Sequence, residues 1–236
     1  MLDWLRRRLK GQPADEKADP ARLAAIGAEV AGRLRATPGM EERGGEKAEL
    51  FLMPGFLAPE ECERLIELIE SNLRPSALFS DKTGTGARTS STHFFNAGEP
   101  EVAALGARLD AVLGLERWQA ETIQGQRYDF GQEYRHHCDF FRQEREHWQT
   151  ERRRGGQRTW SAMVYLNSVE AGGATDFSEL DLRVKPEPGL LIAWNNMDRK
   201  GHPNRATRHA GLPVEAGQKY VVTQWYRMDD WTRSPR

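Results

Sequence analysis

The sequence predicts a mainly β protein, a jelly-roll-like double sheet with helices packed outside it and a helical N-terminal extension. Three observations predict this. Helical periodicity is strongest in the first half of the chain. Short β-rich segments punctuated by Gly, Pro and Asn fill the second half. No internal repeat runs through the 236 residues.

Residues 1 to 45 read as an extension made of helix and linker. Leu2, Leu5 and Leu9 fall at helical spacing, with Arg6, Arg7, Arg8 and Lys10 supplying charge. Such a helix either packs on the chain's own domain or touches an anionic membrane or a partner. From Pro20 to Ala36, a stripe of Leu23, Ile26, Val30 and Leu34 predicts a second helix, and Thr37 to Glu49 reads as a linker. A compact domain is expected over residues 50–231. Within it, Cys62, Leu65, Ile66, Ile69 and Leu73 predict a helix from Pro59 to Leu73. Val102, Leu105, Leu109 and Val112 predict another from Glu99 to Leu113. Strands are expected at Thr159 to Leu166, Leu180 to Val184, Gly189 to Trp194 and Lys219 to Arg227.

Composition narrows the function. Hydrophobic residues make up 38%, with 7 Trp, which is enough for a packed core and excludes a wholly disordered chain. The apolar run from Gly189 to Trp194 is far shorter than the roughly 20 residues needed to cross a bilayer. Lys and Arg total 34 against 35 Asp and Glu, so a globally basic nucleic-acid binder is not expected. Two cysteines, Cys62 and Cys138, make no disulfide framework, and the first ten residues lack a signal-peptide core. A cytoplasmic location is the expectation.

The chemistry concentrates around His137-Cys138-Asp139. At a strand end, the two-residue period sends the imidazole of His137 and the carboxylate of Asp139 to one side. A second histidine would complete a 2-His-1-carboxylate set, which leaves open positions on Fe(II), and His209 is the candidate. Ten residues later, Lys219 opens a β-rich run. It is either a charge on a strand edge or a buried cation that needs an anionic partner, which a dicarboxylate would supply. By the same alternation, His136 and Cys138 point away from the ligands. Arg142 to Arg158 holds six Arg together with Glu144, Glu146 and Glu151. That segment is read as a solvated loop, with a lid or a selector of acidic partners as the alternative.

These pieces resemble the Fe(II)- and 2-oxoglutarate-dependent dioxygenases of prolyl 4-hydroxylase type, from about Leu50 to Trp231. The matching motifs occur in the family's order: Arg88-Thr-Ser-Ser91, Tyr128 with Gly131-Gln-Glu-Tyr134, His137-x-Asp139 and Gly156-Gln-Arg158. They continue with Tyr165-Leu166, Gly172-Gly-Ala-Thr-Asp-Phe177, His209-Ala-Gly-x-Pro213, and Gly217-x-Lys219 with Trp225. The resemblance implies a double-stranded β-helix with Fe(2+) on His137, Asp139 and His209. It further implies 2-oxoglutarate paired with Lys219, with the hydroxyls of Tyr128 and Thr175 around it. Arg88, Arg158 and Trp225 would line the groove for the prime substrate. The implied reaction uses O2 to hydroxylate a peptidyl proline and releases succinate and CO2, with L-ascorbate keeping the iron reduced. The same chemistry on another side chain or a small metabolite is the alternative, followed by a non-catalytic β-barrel binding module. Retention of Asp139 disfavours halogenation, because related halogenases lack that carboxylate. Departures from the family pattern are the charge of residues 142–158, Leu212, and Asn195-Asn196 where an aromatic is common.

Overall fold

A computed structural model describes residues 18–76, 88–145 and 147–232. The basic helix expected at residues 1–10 lies outside them. Four α-helices are described, α1 (Pro20–Ala36), α2 (Pro59–Ser71), α3 (Pro100–Leu113) and the short α4 (Trp148–Arg153). The strands in chain order are β1 (Glu41–Glu42), β2 (Leu50–Met53), β3 (Arg74–Pro75), β4 (Ser91–Phe94), β5 (Gln124–Tyr128), β6 (Tyr134–His137) and β7 (Arg158–Tyr165). They continue with β8 (Ala171–Gly172), β9 (Thr175–Phe177), β10 (Leu182–Val184), β11 (Leu191–Asn195), β12 (His209–Gly211), β13 (Val214–Ala216) and β14 (Lys219–Arg227).

Eight strands form the large sheet in the order β1-β2-β11-β7-β14-β5-β4-β3, and four form the small one, β10-β9-β12-β6. Strands β8 and β13 pair separately. All the pairings are antiparallel, so this is the expected jelly-roll arrangement of two facing sheets, neither closed into a barrel.

The period of two along the strands decides what lies on each face of the large sheet. From β7, Trp160, Ala162 and Val164 join Leu191 and Ala193 of β11 and Tyr220, Val222 and Tyr226 of β14 in the outer core, against the helices. Met163, Tyr165, Ile192, Trp194 and Val221 take the other parity and meet Phe177, Val184 and Val214 between the sheets. Lys219 and Trp225 share the parity of Val221, so β14 delivers both to the interior.

Helices α2 and α3 form where the sequence places them, with Cys62, Leu65, Ile69, Val102, Leu105 and Leu109 in the outer core. Helix α2 approaches β5 so closely that a Cβ on Gly125 would stand 2.3 Å from Ile69 Cγ1. Helix α1 falls within the span read as an extension, yet it is built into the same body. Asp19 caps it through Ala21 N–H at 3.0 Å, and Val30, Ala31 and Leu34 enter the core shared with α2 and α3. Arg22 ties it to the far end of the chain, at 2.5 Å from Asp229 Oδ1 and donating to the Met228 carbonyl at 2.7 Å.

Candidate metal centre

Strands β6 and β12 run antiparallel with His137 directly opposite His209. Further along, Gly211 of β12 faces Tyr134 of β6, so three steps on β6 match two on β12. This bulge brings Tyr134 to the face of His137, and their rings stack with centroids 3.6 Å apart. The rings of His137 and His209 lie 4.3 Å apart by centroid, and Asp139 enters from the segment just beyond β6. Ligand atoms of His137, Asp139 and His209 all lie within 4.8 Å of one another.

Each ligand is aimed by a second contact. Nδ1 of His137 is 2.9 Å from the Arg135 carbonyl, and Nδ1 of His209 is 2.9 Å from the Thr207 carbonyl. A carbonyl only accepts, so each Nδ1 carries the hydrogen and each Nε2 keeps its lone pair for a metal. On Asp139, Oδ2 accepts from Ser161 Oγ at 2.6 Å and from Trp225 Nε1 at 2.9 Å. Its Oδ1 faces His137 Nε2 at 3.5 Å. Asn196 Nδ2 donates to Ser161 Oγ at 2.9 Å, which commits the serine proton to the carboxylate.

The protonation states suit coordination. Burial works against the Asp139 carboxylate, but the imidazoles of His209 and His137 and the Arg158 guanidinium outweigh it and hold the pKa well below the usual range. His209 is buried, which lowers its pKa to about 4, with His137 adding to the effect, so the ring is neutral at pH 7. Two neutral imidazoles and one carboxylate on one side of a divalent ion leave its remaining positions open, the donor set suited to Fe(II).

Lys219 lies at the base of the same interior. It is 2% exposed, and burial alone lowers its pKa to about 7. The rings of Tyr128 and Tyr165 lie 5.1 and 5.3 Å from Nζ, and no carboxylate among the described residues pairs with it. A strand-edge surface charge is therefore excluded for this residue. Gly211 of β12 borders the same space, its Cβ position lying 3.6 Å from Nζ, an ordinary contact distance. Thr175, opposite Gly211 across β9 and β12, is held by Tyr165, whose hydroxyl lies 2.6 Å from Thr175 Oγ1 and accepts from Thr175 N–H at 3.0 Å. A small dicarboxylate fits this chemistry, with a lone ammonium for one end and a metal position for the other.

The three residues expected to line a groove are placed differently from one another. Arg88 is half-buried beside the centre, its guanidinium 5.2 Å from the Tyr134 ring centroid. Arg158 grips Glu121 at 2.6 and 2.8 Å and lies 4.2 Å over Trp225. Trp225 is 7% exposed and spends its N–H on Asp139. The polar atoms that tie Arg158 and Trp225 into the site thus point inward, forming a stack behind the carboxylate ligand. His136 turns away to Asp176 at 3.1 Å, and Cys138 is a free thiol. His202 is exposed beside Asp198 at 3.7 Å, away from the triad.

Sequence reasoning did not single out Ser161, Tyr134 or Asn196 as contributors to the centre. The parity shared by Ser161, Met163 and Tyr165 was the available signal for the first; a bulge leaves none for Tyr134. The segment read as a solvated loop is instead partly anchored. Trp148 and Glu151 of α4 are buried, and Glu151 receives Arg227 Nη2 at 2.7 Å.

Comparison with known proteins agrees with this geometry. The 2OG-Fe(II) oxygenase superfamily profile matches residues 123–227, a span containing the triad and Lys219. A probable prolyl 4-hydroxylase 9 of Arabidopsis thaliana is 31% identical over 200 residues, covering 75% of this chain and 68% of that protein. Prolyl 4-hydroxylase 2 of the same plant is 28% identical over 222 residues, covering 83% and 73%. Among solved structures, the viral collagen prolyl hydroxylase of Paramecium Bursaria Chlorella virus-1, as its 2OG complex, superposes with a TM-score of 0.62 at 29% identity. The match covers 78% of this chain and 98% of the viral one.

Proposed function

The chain belongs to the prolyl 4-hydroxylases of the 2OG-Fe(II) oxygenase superfamily, and from that premise we propose that it hydroxylates a peptidyl proline through His137, Asp139, His209 and Lys219. The observation that carries the reading is the aimed triad beside a buried lysine with no carboxylate partner among the described residues. Bound Fe(II) would couple decarboxylation of 2-oxoglutarate by O2 to insertion of one oxygen atom into a C–H bond, leaving succinate and CO2.

The chain's own residues supply the rest. His137, Asp139 and His209 hold the metal, and Ser161 and Trp225 fix which oxygen of Asp139 is free to bind it. Lys219 neutralises the distal carboxylate of 2-oxoglutarate, with Tyr128 and Thr175 at its sides. The apolar surroundings of Phe177 and Trp194 against His209 exclude water from one flank of the centre. L-Ascorbate serves as the reductant that returns oxidised iron to the ferrous state, a role supported by family membership alone.

The test is succinate formation in air from 2-oxoglutarate and Fe(II) with ascorbate, with and without a proline-rich peptide. Peptide-stimulated succinate, together with the mass gain of one oxygen atom on a proline, is the expected result. Iron-dependent succinate with no peptide stimulation would move the substrate to another side chain or a small metabolite. Absence of both metal binding and turnover would overturn the reading.

A further inference from the structure

The interior face of β14 carries Lys219, Val221, Thr223 and Trp225, and across the ladder β5 sets Tyr128 opposite Lys219, Gln126 opposite Val221 and Gln124 opposite Thr223. Lys219 marks one end of the co-substrate space. Trp225, through its bond to Asp139, marks the metal end. Gln126 therefore stands beside the path between the two. It is 2% exposed, and its Oε1 accepts from Thr223 Oγ1 at 3.0 Å, which turns the carboxamide towards the metal end. Its Nε2 has no acceptor among the described residues. On the other flank of β5, Thr92 lies opposite Gln126, but its hydroxyl is committed to Ser76 Oγ at 2.6 Å.

A buried amide N–H without a partner costs the fold free energy. Tyr128, Met163 and Val221 show that apolar and aromatic side chains fill this interior, so a glutamine there is the costlier choice. Such a donor is satisfied when a ligand with an acceptor oxygen enters. Two further buried atoms near the triad lack partners, Trp194 Nε1 and Asn196 Oδ1. Both belong to the end of β11, which β7 separates from β14, whereas Gln126 is on the strand that carries Tyr128 and borders β14 directly.

We infer that Gln126 donates from Nε2 to the keto-acid end of 2-oxoglutarate and so positions it on the metal. The inference rests on 2-oxoglutarate lying between Lys219 and the triad. Between its two ends the co-substrate carries only methylene groups, and its distal carboxylate belongs to Lys219. The acceptor for an amide turned to the metal end is thus the keto acid, whose charge strengthens the bond.

Isothermal titration of the Mn(II)-loaded protein with 2-oxoglutarate, without O2 and without peptide, reads this contact apart from turnover. Gln126→Leu should weaken 2-oxoglutarate binding roughly 10–100-fold, the worth of a buried hydrogen bond to a charged acceptor. Its affinity for Mn(II) should not change. Thr223→Val breaks the same side-chain bond but leaves Nε2 in place, so it should weaken 2-oxoglutarate less, and the metal-free melting temperature of Gln126→Leu should be no lower than that of Thr223→Val. Binding of 2-oxovalerate, which has the keto acid and no distal carboxylate, should fall by the same factor in Gln126→Leu. Gln126→Met, close to glutamine in length and adaptable in packing, repeats the measurement if leucine disturbs the fold. A lowered melting temperature with unaltered 2-oxoglutarate affinity in both variants would make Gln126 a structural residue and overturn the inference. So would a loss seen for 2-oxoglutarate but not for 2-oxovalerate, which would put the amide on the distal carboxylate. A loss that appears only with peptide present would give the amide to the prime substrate instead. Wild-type protein that binds Mn(II) and no 2-oxoglutarate would overturn the co-substrate reading itself.

Discussion

His209 stands directly opposite His137 across the β6–β12 ladder, with ring centroids 4.3 Å apart and each Nδ1 tied to a carbonyl two residues earlier in the chain. The ladder, rather than the metal, therefore sets the spacing of the two imidazoles. The two Nδ1 contacts turn both Nε2 lone pairs inward, so little ordering entropy is lost on coordination.

Removal of one imidazole is thus expected to destroy the site without unfolding the sheet. His209→Ala should abolish the rise in melting temperature caused by Mn(II) or Co(II), while the metal-free melting temperature changes little. Differential scanning fluorimetry reads both. A metal-induced rise that persists in the variant would place the ion elsewhere.

Ser161→Ala removes one of two donors on Asp139 Oδ2, and Trp225→Phe removes the other. Each should weaken Mn(II) binding roughly 10–100-fold, because the carboxylate loses the contact that keeps Oδ1 turned to the ion. Isothermal titration with Mn(II) gives the number. Asn196→Ala should show a smaller loss, since it acts through the Ser161 hydroxyl. An Asn196 effect larger than that of Ser161 would contradict this chain of contacts.

How much of this was legible in the sequence follows from local rules. Helices α1, α2 and α3 announce themselves because each has an apolar stripe of period 3.6, and β7, β11 and β14 because their runs are rich in β-branched and aromatic residues. The triad was legible because His137 and Asp139 sit two residues apart and the motif order matches a family. Strand β5 was not singled out, since Gln124–Tyr128 is polar and gains its strand character from β14 and β4 on either side, while of the edge strand β6 only the end at His137 was expected. The inward turn of Trp225 onto Asp139 and the packing of α1 against the domain are tertiary facts, and no local pattern encodes them.

Helix α1 supports the fold as part of the outer core, so its loss should be costly. Leu34 is 0% exposed and meets the shared cluster, and Leu34→Ala is expected to lower stability by about 2–5 kcal/mol. Deleting residues 1–45 removes the whole helix and should yield insoluble or strongly destabilised protein. Urea unfolding of the point variant and solubility of the truncation check both. A truncated chain with unchanged stability would show that α1 is an appendage.

Lys219 makes a pH-dependent prediction whose sign is fixed. Its pKa is lowered from 10.5 to about 7 by burial. Between these values the unfolded chain binds more protons than the folded one, so stability rises with pH across this window. The penalty is fully present below about pH 7 and is relieved as pH climbs towards the unfolded value. Lys219→Met should therefore stabilise the metal-free protein by a few kcal/mol near pH 6–7, and the gain should vanish near pH 10. In the wild type, 2-oxoglutarate binding near pH 8 should take up a proton as the dicarboxylate restores the ammonium. Calorimetry in buffers of different ionisation heat detects it, and Lys219→Ala should lose the uptake while its 2-oxoglutarate KM rises.

Glu121 joins the interior electrostatics to the metal ligand. Burial opposes its charge, but Arg158 and Arg227 overcome that and keep the pKa low. Arg158 grips it at 2.6 and 2.8 Å, and Arg227, itself 1% exposed, reaches from Glu121 to Glu151. Glu121→Gln leaves Arg158 without its carboxylate partner and Arg227 with Glu151 alone, which typically costs about 3–5 kcal/mol. The guanidinium of Arg158 lies 4.2 Å over Trp225, and Trp225 donates to Asp139, so the loosened arginine should also weaken metal binding. Guanidinium unfolding and Mn(II) titration on the same variant separate the two effects. Lost stability with unaltered Mn(II) affinity would show that the stack over Trp225 holds the fold and does not aim the ligand.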